Sequence, residues 1–112
     1  MKISVDALRA ALTDGGELAL ADVREEGVFL KGHLFWAACL PLSKLELLAV
    51  DLIPRKTTRI VLCDGGDEDL AERAAARLGA MGYTDVAVLD GGTAAWAAAG
   101  GELFSGVNVP SK

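Results

Sequence analysis

The sequence predicts an α/β domain: a small, central, mostly parallel sheet flanked by helices on both faces. Three observations carry this. The runs Leu18–Ala21, Ile60–Leu62 and Val86–Leu89 are short and apolar, as buried strands are. The stretches between them repeat apolar residues every three or four positions, with short connections. The length, 112 residues, fits one domain, and a hydrophobic fraction of 52% is enough to fill its core.

The elements follow in order. Ser4 caps a first helix whose residues Val5, Leu8 and Leu12 share one face, and Asp14-Gly15-Gly16 ends it. Leu18–Ala21 is a strand ending at Asp22, and Glu25–Leu30 makes one or two helical turns. Ala37–Leu40 is a brief strand before Pro41. Ser43 and Glu46 have capping-box spacing ahead of a helix with Leu45, Leu48 and Leu52 on one side, stopped near Pro54. After the strand Arg59–Cys63, a helix places Leu70, Ala74, Leu78 and Met81 on one face until Gly82 breaks it. Val86–Leu89 is the last strand, Gly91-Gly92 a turn, and Thr93–Ala99 the last helix. Beyond residue 101 no periodic pattern continues, so the domain is placed at 1–101 and residues 102–112 are read as a tail or linker towards a further domain.

Composition narrows the function. The net charge is −5, the pI about 4.7, and no basic stripe is present, which argues against nucleic acid. No apolar run approaches the roughly 20 residues of a membrane span, and the first residues lack the apolar core of a signal peptide. Two cysteines without such a signal predict free thiols in a reducing cytoplasm. Two cysteines and one histidine are too few soft ligands for a structural zinc site, so no metal is expected.

The chemistry converges on Cys63. It ends an apolar strand, Gly65 and Gly66 follow, and a helical pattern starts at once. Ligands of open α/β sheets bind beyond the carboxyl ends of strands. A glycine turn can aim N–H groups at such a residue, and the next helix offers its positive end, which together favour a thiolate. The bland alternative is a small buried apolar residue. For Cys39, in the run AACLPL with no adjacent turn, packing is the expected role. A disulfide between the two is left open by the sequence, though a reducing compartment opposes it.

Four stretches in register resemble the rhodanese-like (sulfurtransferase) family: DVREE at 22–26, GHLFWAACLPL at 32–42, IVLC at 60–63 and LDGGTAAW at 89–96. The resemblance runs from Ser4 to about Gly101, and suggests one domain of a multidomain rhodanese. It implies a cysteine, here Cys63, that carries sulfane sulfur as a persulfide. The sulfur would come from a donor, thiosulfate or a protein or small-molecule persulfide, and pass to a thiol or cyanide. The resemblance implies no cofactor. Asp22 and Arg24 match the family's Asp-Val-Arg signature; a scaffold role is favoured for both, with Arg24 reaching towards the loop as the alternative. His33 falls in its Gly-His element, where a hydrogen-bonded structural role is expected.

The loop departs from the family. Active rhodaneses often carry a cation after the cysteine, whereas here Asp64, Gly65, Gly66, Asp67, Glu68 and Asp69 form an acidic loop about two residues longer than usual. A carboxylate about 7 Å from a thiolate opposes it by ~0.6 kcal/mol in water and ~2.4 at an effective dielectric of about 20. Thiosulfate should therefore be a poor donor. The simple role for Asp67, Glu68 and Asp69 is at the helix start, with Asp69 and Arg73 spaced to pair. Asp69 also stands where a phosphatase of this fold would need its phosphate-clamping arginine. The favoured function is a sulfurtransferase using Cys63, weak with thiosulfate; the alternative is a non-catalytic rhodanese-like regulatory or protein-interaction module. Trp36 and Trp96 are both expected in the core or at its edge; an exposed Trp36 would instead signal a partner surface.

Overall fold

A computed structural model of the chain describes residues 2–66 and 69–105. Five parallel strands form one sheet: β1 (Lys2–Ile3), β2 (Ala19–Asp22), β3 (Ala38–Cys39), β4 (Ile60–Cys63) and β5 (Val86–Leu89), in the order β1-β5-β4-β2-β3. Five helices connect them: α1 (Val5–Thr13), α2 (Glu26–Phe29), α3 (Leu45–Leu52), α4 (Leu70–Ala80) and α5 (Gly92–Ala98).

Side chains alternate along each strand, so every strand feeds two cores. Ile60 and Leu62 pack with Ala21 and Val88 under Leu45 and Ala49 of α3 and Ala71, Ala74 and Leu78 of α4. Val61 and Cys63 pack with Leu20, Ala87 and Leu89 under Leu8 of α1, Phe29 of α2 and Trp96 of α5. The expected three-layer α/β arrangement is present.

Local sequence sets most boundaries. The Ser4 hydroxyl accepts from Ala7 N at 3.1 Å and caps α1. The strand β1 is absent from the sequence reading; its two residues carry no period, and pairing with Val88 and Leu89 of β5 makes them a strand. The capping box at Ser43 does not form. Ser43 lies in a 3-10 turn, Leu42–Lys44, and donates to Glu25 Oε2 at 2.7 Å, while Glu46 pairs with Arg77 at 3.7 Å. Glu102 and Phe104, which the sequence assigns to the tail, make contacts with the domain. Trp96 Nε1 donates to the Glu102 carbonyl at 3.1 Å, and His33 and Phe104 exchange backbone bonds of 2.8 and 2.7 Å. Residues 106–112 of that tail lie outside the described residues.

Candidate active site

The carboxyl ends of β3, β2 and β4 place Cys39, Asp22 and Cys63 in one row, Asp22 being the register partner of both cysteines. One strand therefore separates the cysteines. Two spacings of about 4.8 Å put their Cα atoms roughly 10 Å apart, beyond the ~7 Å a disulfide spans. Both are free thiols, so the disulfide left open by the sequence is ruled out.

Cys63 has no exposed surface. Its side chain enters the apolar layer under α1, α2 and α5, among Leu34, Ala37, Leu89 and Trp96. Burial pushes its thiol well above the ordinary value; Asp22 pushes it further, Arg24 partly offsets this, and Asp64 adds to the rise. The thiolate expected from the glycine turn is not what this geometry favours.

The reason is strand parity. Helix α4 covers the other face of β4, the face of Ile60 and Leu62. The next residue in that alternation is Asp64, and its carboxylate takes the amides expected for Cys63. Oδ1 accepts from Gly66 N at 2.9 Å, and Oδ2 accepts from Ala71 N, in the first turn of α4, at 3.0 Å. Asp64 is 5% exposed. It, rather than Asp69, caps α4: Asp69 occupies the cap position without a side-chain bond and stands 3.8 Å from Arg73, exposed. Asp67 and Glu68 lie outside the described residues.

The loop is bolted to the turn before α5. Thr93 N donates to the Asp64 carbonyl at 2.8 Å, and Ala94 N to the Gly65 carbonyl at 3.3 Å. Gly66 and Gly92 both have positive φ, at 108° and 58°. A Cβ on Gly66 would run into the Gly91 carbonyl, and one on Gly92 into the backbone of Asp64 and Gly66. Only glycine lets the two segments touch along their backbones.

Asp22 and Arg24 form a buried ion pair. Arg24 Nε lies 2.9 and 3.2 Å from the two Asp22 oxygens, its NH2 group 2.7 Å from Oδ2 and 2.6 Å from the Gly32 carbonyl. Arg24 thus ties the end of β2 to the His33 segment, the scaffold role. His33 is 1% exposed, stacks on Phe29 with ring centroids 4.0 Å apart, and holds the Leu34 carbonyl at 2.9 Å through Nδ1. Cys39 is half-buried; burial raises its thiol, followed by Asp22, Glu26 and Glu25, with Arg24 opposing. Among the described residues no three His, Cys, Asp or Glu side chains converge to hold a metal. No helix among them is long and apolar enough to cross a membrane.

The sequence aims the amides of this turn and helix start at Cys63, whereas Gly66 N and Ala71 N donate to Asp64. A signal was available: the alternation Ile60, Leu62, Asp64 against Val61, Cys63, once α4 is assigned to the first set.

Comparison with known proteins agrees with this architecture. A model of the rhodanese-like domain matches residues 4–99. Thiosulfate sulfurtransferase from Pseudomonas aeruginosa is 52% identical over 96% of this chain, with a TM-score of 0.90, and the chain spans 20% of that protein's length. The Alr3790 protein from Anabaena sp. is 27% identical, with 94% of this chain and 93% of that one covered and a TM-score of 0.86. SseA from Escherichia coli, a 3-mercaptopyruvate sulfotransferase with a "Rhodanese" fold, shares the fold at 22% identity and a TM-score of 0.75, over 96% of this chain and 53% of its own. No curated protein matches. With its motifs, its five-stranded parallel sheet and a family match over residues 4–99, the chain belongs to the rhodanese-like domain family.

Proposed function

We propose that this domain serves a sulfurtransferase as a non-catalytic module, and that the sulfur-carrying cysteine of that system is not Cys63. The observation that carries this reading is the Asp64 carboxylate on Gly66 N and Ala71 N. Gly66 N and Ala71 N are donors of the kind that stabilise an anionic sulfur at the sheet's carboxyl edge, and the Asp64 carboxylate holds both. The sealed, protonated Cys63 on the opposite face supports the same conclusion. The exposed Asp69 beside the loop also disfavours a dianionic donor such as thiosulfate. The family context supports donors and acceptors of sulfane sulfur as the substrates of the complete system, and two free thiols suit a reducing cytoplasm.

The position of Cys63 at the end of β4 favours the other reading, a persulfide on Cys63 itself. Intact mass separates the two. The protein is incubated with thiosulfate and, separately, with glutathione persulfide, then treated with cyanide. The expected result is no cyanide-dischargeable sulfur on Cys63 with either donor. A gain of one sulfur that is lost in Cys63→Ala, with Cys39 intact, would overturn the proposal.

A further inference from the structure

Trp36 precedes β3 and so stands beyond the amino-terminal end of that strand, away from the Asp64 loop. It is 59% exposed. With Phe35, Trp96, Glu102 and Phe104 it lines a cavity of about 340 Å³, within the range of small-ligand sites. The rings form walls rather than a stack. Phe35 meets Trp36 at 88° with centroids 5.5 Å apart, and Phe104 at 57° and 4.9 Å.

The walls are built before any ligand arrives. Gly101 N donates to the Trp96 carbonyl at 2.9 Å, and Gly101 lies so close to the indole that a Cβ would collide with it. Trp96 Nε1 then holds Glu102, and Phe104 is pinned by its two bonds to His33. Such fixed walls reduce the ordering cost of binding.

We propose that this cavity binds a trimethylammonium group. Four of the five lining residues are aromatic, the fifth is acidic, and none is cationic. Aromatic faces attract a cation through their quadrupole. A primary ammonium would also demand hydrogen-bond acceptors, which rings do not offer; a quaternary nitrogen needs none, and its methyl groups make apolar contact. Trp96 already attracts one cation: Arg9 stands 5.0 Å from its ring centroid. Arg9 lies outside this lining, held by its bond to the Ala99 carbonyl at 3.2 Å, and borders a neighbouring cavity with Leu12, Thr13, Trp36 and Trp96. The net charge of −5 favours the same sign of ligand.

The test titrates the full chain with choline, and in a second arm with a trimethyllysine peptide, following the indole N–H signals by NMR. A third arm uses the neutral analogue of choline in which carbon replaces the quaternary nitrogen. Saturable binding of one charged probe is expected, about tenfold or more tighter than the neutral analogue. The tighter of the two charged arms identifies the source of the group. Trp36→Ala should abolish binding, Trp36→Phe retain part of it, and Glu102→Gln weaken it a few-fold, with circular dichroism unchanged in all three. Equal affinity for the neutral analogue, no saturable binding of either charged probe at millimolar concentration, or full binding by Trp36→Ala would each overturn the proposal.

Discussion

Cys63 and Asp64 are neighbours in sequence and belong to opposite layers of the molecule. Cys63 faces the layer of α1, α2 and α5, where its surroundings are hydrocarbon and a buried ion pair. Asp64 faces the start of α4, where two backbone amides converge. One peptide unit therefore separates a site that suppresses ionisation of a thiol from one that offers two N–H donors. Being at the end of a strand does not make a residue reactive; its parity relative to the next helix decides which residue meets the amides.

The largest expected effect tests the Cys63 side of this comparison. Arg24→Ala leaves Asp22 buried, with no exposed surface, and without its guanidinium partner. Breaking a buried pair in this way costs about 3–5 kcal/mol. Urea unfolding should read a loss of that size, together with faster hydrogen exchange at His33 and Leu34, since Arg24 also holds the Gly32 carbonyl. A loss below about 1 kcal/mol would mean that the pair is solvated and the Cys63 layer less dry than described.

How far the sequence disclosed these two sides follows from what each depends on. Strands β2, β4 and β5 and helices α1 and α4 were legible because periodicity and end signals are local. The strand β1 was not, because two residues have no period and their pairing is supplied by β5. The Ser43–Glu46 spacing misled because Glu25, 18 residues away, takes the Ser43 hydroxyl. At the site, the acidic, glycine-bearing loop was legible. The partner of its amides required knowing which face of β4 the helix α4 covers, a tertiary fact. The exposed Trp36 was anticipated as a conditional signal, but its cavity depends on the return of residues 101–104 across Trp96.

A smaller effect probes the Asp64 side. Asp64→Ala leaves Gly66 N and Ala71 N without their acceptor and removes the cap of α4, a loss of about 2 kcal/mol. Asp64→Cys gives the comparison its sharpest form. The new thiol would stand by the same amides, at the positive end of an 11-residue helix. In a Cys39→Ser background it should alkylate at neutral pH about tenfold or more faster than Cys63 does in the unmodified loop. Equal rates would show that the amides give no advantage to a sulfur at this position.

The smallest effect carries a sign that can be followed with pH. Cys63→Ala removes one buried sulfur and should cost about 1 kcal/mol at neutral pH. The folded state holds this thiol protonated to high pH, whereas the unfolded chain releases its proton near about 8.5. Above that value the native state binds more protons than the unfolded state, so the stability supplied by Cys63 declines as pH rises, by up to ~1.4 kcal/mol per unit. The contributions of Cys39 and Tyr83 are common to both proteins and cancel in their difference. The stability curves of the parent and of Cys63→Ala should therefore run parallel below about pH 8 and cross near pH ~9. A gap that stayed constant to about pH 10 would mean that Cys63 ionises as readily folded as unfolded, and the distinction between the two faces of β4 would fail at its first residue.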